Sequence, residues 1–473
     1  MTVVHVASEV APFSKTGGLA DVAGSLPRAL AGPKRRVIVV SPWYRMTAAH
    51  HDAPELLDFE LESAGMTERV ELRELETDDV RHLFIDVPRL FDRDGLYGGP
   101  DGDYEDNAER FALFCRAALE ALDRLRIGPD VIHCHDWQTG PVPLLLASRP
   151  DRPRTVFTIH NLGYQGVFPP GMLYLLGIEP NDPLARHVEY HGSISLLKAG
   201  LALADRLTTV SPTYAREILT PELGFGMDGV LRGRKEILSG ILNGIDTGYW
   251  NPETDEHLPA CYSAGDPGAK SECKAALLEE LGLDGPDRPL YGTVTRLAGQ
   301  KGIDLIVDRA QELVDGDANL AVLGTGEPQY HTALSELAAR CPGRVSANLQ
   351  FNEPLAHRIY AGTDFFLMPS RYEPCGLGQM ISLRYGSLPV AARTGGLADT
   401  VFDIDADRDR GNGLLFERDS GPGFQDALAR SLRLFGDRKR LEAARERGMR
   451  TDFSWDARAD EYARLYEELA PGS

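Results

Sequence analysis

Short apolar segments alternate with amphipathic stretches along almost the whole chain, and this alternation restricts the fold more than any other feature. In the first half the apolar segments are Val3–Ala7, Val37–Val40, Val131–Cys134 and Thr155–Ile159. Alternation of this kind is typical of βαβ units. Because the segments are polar on neither face, they predict strands covered by helices on both sides, as in a largely parallel, doubly wound sheet.

The second half repeats the pattern in Leu290–Thr295, Leu320–Leu323, Asp364–Met368 and Leu388–Ala391. Two sheets are therefore predicted, and 473 residues are enough for two large domains. The segment 240–252 is rich in turn-forming residues, so we predict one domain over residues 1–243 and a second that begins at Gly244.

The charge balance limits the partners that the chain can have. Acidic side chains outnumber basic ones by 71 to 50, which gives a net charge of −21 and argues against nucleic acid or an anionic membrane as a partner. The six cysteines form no C-x-x-C pair, and no leader or long apolar segment is evident. We therefore expect a cytoplasmic protein with reduced thiols.

One short sequence occurs twice. Lys15–Val22 and Arg393–Thr400 share the letters T-G-G-L-A-D, and each copy has a cation in front of it. A Gly-Gly turn that opens a helix directs backbone N–H groups at an anion, so both copies are candidate phosphate sites. Two structural turns without a ligand are the alternative.

Residues with chemical functions follow the predicted strands, at the ends where open α/β sheets bind ligands. They lie in Lys15–Asp21, His133–Trp137, Thr158–Asn161, Arg296 with Lys301, and Pro369–Leu377. In their order, spacing and residue identities these segments resemble those of bacterial glycogen synthases and plant starch synthases. The resemblance runs from Val3 to about Leu469 and includes Ile194–Gly200, Val210–Ile218 and Gly226–Gly229.

The resemblance implies a retaining transferase of the B-type glycosyltransferase (GT-B) architecture, with two Rossmann-like domains facing a deep cleft. In that family the N-terminal domain takes the acceptor and the C-terminal domain, here 244–455, takes the nucleotide sugar. The segment 456–473 is expected to return to the first domain. The implied reaction moves glucose from ADP-glucose to the non-reducing end of an α-1,4-glucan such as glycogen and releases ADP.

The donor side can also be argued from charge. Departure of a diphosphate builds negative charge, and a transferase without a metal needs fixed cations there. Arg296 and Lys301 lie five residues apart just after a predicted strand, so one loop can direct both at the diphosphate. The resemblance places Glu373 on the donor glucose, as a candidate catalytic residue with Arg296 and Lys301. It adds a donor-binding segment made of Cys375, Gly376, Leu377 and Gly378.

Three positions bear on the choice of donor. Many related transferases have a second Glu eight residues after the first, where this chain has Ile381, as bacterial glycogen synthases do. Gly378 stands where the family commonly has Thr, and Phe351 stands where it commonly has Tyr. Phe351 keeps an aromatic face for the base but has no phenol hydroxyl. The choice between ADP and UDP therefore stays open.

On the first domain the resemblance nominates two catalytic residues. Lys15 is expected to meet the diphosphate or the acceptor, and His160 is expected at the 6-hydroxyl or at C1 of the glucose. Five further residues are expected to bind substrate or support these loops: Gly18, Asp21, Asp136, Asn161 and Asn243.

No metal or other cofactor is predicted. His133 and His135 could share a zinc ion from one face of a strand, but the sequence offers no third and fourth ligand nearby. A dehydrogenase is disfavoured because Gly324–Gln329 lacks the third glycine of a dinucleotide fingerprint. A non-enzymatic glucan-binding scaffold would be expected to have lost its cations and carboxylates, whereas all are present.

Overall fold

Two compact units make up the part of the chain that the structure describes. The structure is a computed structural model, and it describes residues 1–63, 65–99 and 102–472. Contacts divide the chain into a first unit, Met1–Gly244 with Trp455–Ser473, and a second unit, Ile245–Ser454. The sequence placed its boundaries at 243/244 and 455/456. Ser473, the end of the predicted C-terminal segment, lies outside the described residues.

The first unit contains the following strands and helices. Its strands are β1 (Thr2–Val6), β2 (Arg36–Pro42), β3 (Glu55–Ser63), β4 (Met66–Thr77), β5 (Val80–Asp86), β6 (Gly98–Gly99), β7 (Gly102–Asp103), β8 (Val131–His135), β9 (Arg154–Ile159), β10 (Val167–Phe168), β11 (Glu189–Tyr190), β12 (Ser193–Ser195), β13 (Arg206–Thr209) and β14 (Leu238–Gly240). Its helices are α1 (Gly18–Leu30), α2 (Arg45–His50), α3 (Pro88–Phe91), α4 (Asn107–Arg124), α5 (Pro141–Leu146), α6 (Leu196–Leu203), α7 (Pro212–Glu217) and α8 (Asp228–Arg232).

The second unit contains the remaining elements, apart from the last helix. Its strands are β15 (Leu290–Val294), β16 (Asn319–Leu323), β17 (Val345–Asn348), β18 (Phe365–Met368), β19 (Leu388–Ala392) and β20 (Leu414–Phe416). Its helices are α9 (Lys270–Leu281), α10 (Ile303–Asp315), α11 (Pro328–Arg340), α12 (Glu353–Gly362), α13 (Gly378–Arg384), α14 (Gly395–Thr400), α15 (Gly421–Gly436) and α16 (Arg438–Arg450). The last helix, α17 (Trp455–Leu469), belongs to the first unit.

Within the described residues the main sheet of the first unit has nine strands, in the order β14-β13-β9-β8-β1-β2-β5-β4-β3. The strands from β14 to β5 are parallel. Most residues of β1, β2 and β8 are buried and apolar, as expected for strands covered on both faces.

The edge formed by β3 and β4 is antiparallel and was not predicted. In β4, Val70 and Leu72 are fully buried while the neighbouring Arg69 and Glu71 reach solvent. Alternation of buried and solvent-exposed residues is typical of strands in antiparallel sheets. The antiparallel pair β3 and β4 therefore extends the parallel sheet at the edge formed by β5.

Helix α17 packs against α1 on one face of this sheet. Trp455, Tyr462 and Tyr466 are buried in a cluster with Val3 of β1 and Leu26 of α1. These aromatic side chains of α17 therefore form part of the core of the first unit.

In the second unit six parallel strands run in the order β17-β16-β15-β18-β19-β20 across the described residues. Counted along the chain this is the order 3-2-1-4-5-6 of a dinucleotide-binding fold. Strands β16 and β17 are added on one side of β15, and strands β18, β19 and β20 are added on its other side, so the strand order reverses between β15 and β18. Loops that follow these two strands meet at the carboxyl edge, where such folds bind ligands.

Candidate active site

In the first unit the predicted residues gather at the carboxyl ends of three neighbouring strands. The loop after β1 carries Lys15, Asp136 follows β8, and His160 follows β9. Since β1 pairs with both β2 and β8, this edge is the point where strand order reverses. Strand order alone therefore brings these distant parts of the sequence together.

The loop that carries Lys15 is held by two carboxylates. Lys15 Nζ lies 2.8 Å from Asp21 Oδ1, in an ion pair that is partly exposed. Glu9 Oε2 accepts hydrogen bonds from the backbone N–H and the hydroxyl of Thr16, at 2.5 and 2.9 Å. Glu9 is buried, and burial raises its pKa to about 7. Gly18, also predicted here, is the first residue of α1.

Glu9 was not among the predicted site residues. A signal was present in the sequence, since Glu9 lies two residues after the apolar segment Val3–Ala7 and is therefore a polar group near a strand end.

Asp136 occupies a strained and buried position. Its φ of 58° and ψ of −175° lie in a region that residues other than glycine rarely adopt. Its Oδ1 accepts the backbone N–H of His160 at 2.7 Å, and the N–H of Asn161 lies 3.5 Å away. Burial raises the pKa of Asp136 to about 7. Strain and an unfavourably buried acid are both typical of functional positions.

Two amide side chains of the first unit, Asn161 and Asn243, were also predicted to bind substrate. Asn161 Oδ1 accepts the backbone N–H of Gly163 at 3.0 Å, which fixes the turn after His160. Asn243 is buried, and its Oδ1 makes no hydrogen bond within the described part of the chain. A buried acceptor without a partner is uncommon, and a ligand hydroxyl would satisfy it.

A cluster of histidines lies beneath this surface. His5, His133 and His135 are fully buried, and one ring nitrogen from each lies within 4.8 Å of those of the others. The expectation that no third ligand lies near His133 and His135 was therefore wrong, because β1 supplies His5, whereas this group of described residues contains no fourth ligand. Pairing of β1 with β8 in register is long-range information that spacing along the chain does not contain.

Among the described residues, every ring nitrogen of this cluster except His5 Nε2 makes a hydrogen bond. His133 is hydrogen-bonded to Tyr466 Oη at 2.6 Å and to Thr158 Oγ1 at 2.5 Å. His135 is bonded to His5 at 3.1 Å and to His160 at 3.0 Å. A metal would have to displace these partners. The absence of a metal stays a prediction.

In the second unit, Lys301 and Glu373 form an ion pair. Lys301 Nζ lies 2.6 Å from Glu373 Oε2, which also accepts the hydroxyl hydrogen of Ser370 at 3.0 Å. Glu373 is buried whereas the Lys301 side chain is 20% exposed. Two of the three predicted catalytic residues of this unit, Lys301 and Glu373, thus lie side by side in the loops that follow β15 and β18.

Backbone contacts lock the two loops together. Gly302 has φ +67°, and a Cβ built there would lie 2.1 Å from the carbonyl oxygen of Pro369. The Arg371 N–H donates to Gln300 O at 2.8 Å, and the Arg371 guanidinium forms an ion pair with Asp304. Arg296 Nη2 donates to Gln300 Oε1 at 3.2 Å. Both predicted cations therefore lie on a loop that is fixed against the loop of Glu373.

The predicted donor-binding segment continues from Glu373. Cys375 is buried, and Gly376 and Leu377 lead to Gly378, the first residue of α13. A Cβ at Gly378 would lie 3.2 Å from the ring of Phe366, so glycine fits this core more easily than Thr. Phe351 is 82% exposed, which leaves its ring available for stacking.

The two T-G-G-L-A-D turns differ in their surroundings. A Cβ at Gly395, where φ is +42°, would lie 1.9 Å from Glu373 O, and one at Gly396 would lie 2.1 Å from Cys375 O. A Cβ at Gly17 would meet nothing within 4 Å. The second turn thus supports the Glu373 loop by close backbone packing, whereas the first has open space beside it.

Comparison with known proteins identifies the family. Residues 2–233 match the model of the starch synthase catalytic domain, and residues 288–433 match that of glycosyl transferases group 1. The glycogen synthase of Anaeromyxobacter sp. (strain Fw109-5) is 48% identical over 478 residues, which cover 99% of this chain and 100% of that protein. The chain belongs to the glycogen and starch synthase family.

Two further relatives agree. The glycogen synthase of Koribacter versatilis (strain Ellin345) is 44% identical over 480 residues, covering 99% of this chain and 98% of that protein. The catalytic domain of starch synthase IV from Arabidopsis thaliana, solved bound to ADP and acarbose, matches with a TM-score of 0.91, 35% identity and 99% coverage of each chain. The predicted family, glycosyltransferase class and two-domain α/β fold of GT-B type are confirmed.

No helix in the described ranges is long and apolar enough to cross a bilayer.

The different surroundings of the two turns predict different effects of the same substitution. We expect Gly395→Ala to lower the thermal unfolding midpoint, because its Cβ would collide with a carbonyl group and φ is positive. Gly17→Ala, the matched control, should leave the midpoint within about 1 °C, since surface changes without contacts cost little. Equal effects in a thermal shift assay would contradict this reading.

Ionisation of Asp136 predicts a pH-dependent stability difference. Its folded-state pKa of about 7 lies above the ordinary value of a free Asp, about 3.9, so the protonated form stabilises the fold at low pH and this stabilisation is lost as pH rises towards 7. Asp136→Asn should therefore stabilise the protein more at pH 8 than at pH 5, by on the order of 2 kcal/mol. Urea unfolding at both pH values measures this, with the exposed Asp151→Asn as control. A gain that does not grow with pH would show that burial does not penalise this carboxylate.

Proposed function

We propose that the protein is a glycogen synthase that transfers glucose from ADP-glucose to the non-reducing end of an α-1,4-glucan, with retention of configuration, and releases ADP. The observation that carries the proposal is the pairing of Lys301 with Glu373 where strand order reverses in the second unit. Family membership and the ADP-bound Arabidopsis relative support the choice of substrate class.

The second unit takes the nucleotide sugar. Arg296 and Lys301 hold the diphosphate and stabilise the charge that grows as it leaves. Glu373 meets the glucose, and it also keeps Lys301 in place through the 2.6 Å ion pair. The exposed ring of Phe351 stacks on the base, and the segment from Cys375 to Gly378 lines the sugar.

The first unit acts on the glucose and the acceptor. His160 contacts the sugar near C1 or the 6-hydroxyl, and Lys15 adds a cation at the diphosphate or the acceptor. Asp136 and Asn161 hold the backbone around His160, Gly18 and Asp21 hold the loop of Lys15, and Asn243 offers its unpaired oxygen to a hydroxyl.

The chemistry is a front-face substitution through an oxocarbenium-like state. The bond between C1 and the diphosphate oxygen breaks as the acceptor 4-hydroxyl bonds to C1 on the same face. The proton of that hydroxyl passes to the leaving phosphate oxygen, whose charge Arg296 and Lys301 hold. No enzyme carboxylate is assigned as a nucleophile. We assign no metal or cofactor to the reaction, and the cations of the protein replace one.

We also place the enzyme in the cytoplasm, without nucleic acid or membrane as a partner. All six cysteines are free thiols, and the net charge of −21 repels polyanions.

The direct test supplies glycogen with ADP-glucose or UDP-glucose, labelled in the sugar, and measures label in the polymer with and without EDTA. We expect transfer from ADP-glucose that is unchanged by EDTA. Absence of transfer from both donors would overturn the proposed activity. A preference for UDP-glucose would overturn the donor, and loss of transfer with EDTA would overturn the metal-free chemistry.

Removal of one cation should reduce turnover strongly. We expect Lys301→Ala to lower kcat by about 100-fold to 1,000-fold, the cost of losing one fixed charge at a developing anion. Lys439→Ala, an exposed lysine of the same unit, should leave kcat unchanged. Steady-state kinetics with ADP-glucose measure both variants. Turnover of Lys301→Ala near that of Lys439→Ala would refute the role of Lys301.

A further inference from the structure

Three histidine side chains form a continuous hydrogen-bonded chain in the first unit. His5 Nδ1 lies 3.1 Å from His135 Nε2, and His135 Nδ1 lies 3.0 Å from His160 Nε2. The rings come from β1, from the end of β8 and from the residue after β9, which are adjacent strands. The chain runs from the fully buried His5 to His160, which is partly exposed at the carboxyl edge.

All three rings are neutral around pH 7. Burial lowers the pKa of His5 and of His160 to about 3 and moves the pKa of His135 well below its usual range. A neutral imidazole has one N–H and one bare nitrogen. Each ring therefore contributes a single proton to the chain.

Proton counting leaves two arrangements. Each of the two nitrogen-to-nitrogen contacts needs one proton and one lone pair. If His135 carries its proton on Nδ1, then His160 and His5 must also carry theirs on Nδ1. If His135 carries it on Nε2, both neighbours must carry theirs on Nε2. The three rings therefore share one tautomer.

His5, at the buried end of the three hydrogen-bonded histidines, decides between the Nδ1–H and Nε2–H arrangements. His5 Nε2 is buried and has no hydrogen-bond partner among the described residues. In the Nε2–H arrangement this atom would be an N–H donor without an acceptor, whereas in the Nδ1–H arrangement it is only an unused lone pair. An orphaned buried donor is rarer and more costly than an underused acceptor, which favours Nδ1–H.

We propose that His135, backed by His5, is a positioning residue that fixes His160 in the Nδ1–H tautomer, so that His160 presents a neutral N–H donor to an oxygen of the sugar substrate. Nδ1 of His160 makes no hydrogen bond to the rest of the described chain, so it is available to such an oxygen. The inference deepens the proposed function, because it rests on the placement of His160 at the donor glucose.

The neighbouring His133 belongs to a separate network. Its two nitrogens are bonded to Tyr466 and Thr158, and Thr158 Oγ1 continues to Thr208 at 2.5 Å. His133 lies on the same strand as His135, is equally buried, and has its ring centroid 4.2 Å away. It is therefore a matched control for loss of a buried imidazole at this position.

The tautomers can be read from protein labelled with ¹⁵N-histidine, since two-bond proton–nitrogen spectra distinguish protonated from bare ring nitrogens. His160 is assigned from the signals lost in His160→Asn. We expect Nδ1–H on His5, His135 and His160 in the wild-type protein. In His135→Phe, His160 should lose this fixed tautomer and show Nε2–H, whereas in His133→Phe it should keep Nδ1–H.

Kinetics complete the test. His135→Phe should lower kcat with ADP-glucose about ten-fold, as expected for one misdirected hydrogen bond, and His135→Asn should recover part of it because its amide can donate to His160. The Kd for ADP should not change, since the second unit holds the nucleotide.

The outcomes separate this inference from the proposed function. Nε2–H on His160 in the wild-type protein, or an unchanged His160 tautomer in folded His135→Phe, would overturn the positioning role whatever the activity. If His135→Phe does not fold, the wild-type spectrum and His135→Asn decide. A wild-type protein with the expected tautomers that transfers no glucose would overturn the proposed function, and with it the sugar contact of His160.

Discussion

The order of strands in the two parallel sheets is the constraint on which both groups of functional residues depend. In the second unit the chain starts at β15, moves outward to β17, and then returns to the other side at β18. The loops after β15 and β18 leave the sheet side by side, because no crossover helix covers that point. The first unit repeats this at β1 and β8. Residues more than 70 positions apart, such as Lys301 and Glu373, thereby come within hydrogen-bond distance.

The cations that are assigned to the diphosphate are fixed locally on one of these loops. The protein as a whole is strongly acidic, yet Arg296 and Lys301 lie on a loop that Arg371 and Gly302 fix against its neighbour. A buried carboxylate, Glu373, is kept beside Lys301, where its attraction offsets the cost of its burial. A cation that is held in place before the substrate arrives needs no reorganisation during the reaction, and that is the condition for electrostatic catalysis.

Much of this could be predicted from the sequence. Apolar segments predicted both parallel sheets, because strands that are buried on both faces are apolar along most of their length. Motifs at the ends of these strands indicated Lys15, His160, Lys301 and Glu373. The antiparallel edge was missed because β4 alternates Arg and Glu with Val and Leu, which reads as an amphipathic surface. His5 and Glu9 were missed for another reason. The contact of His5 with the other histidines depends on the pairing of β1 with β8, and spacing along the chain does not encode that pairing. Glu9 stands after a predicted strand in the sequence, but its burial and raised pKa are visible only in the folded structure. The roles assigned to individual site residues stay predictions.

The central claim is that Lys301 acts on the diphosphate of the donor nucleotide. The most direct measurement compares the calorimetric affinities of ADP and AMP for the wild-type protein and for Lys301→Ala. The account predicts that the wild-type protein prefers ADP by about ten-fold or more, the value of a charge-assisted contact, and that Lys301→Ala loses most of this preference. An ADP-to-AMP ratio that is the same in both proteins would contradict it.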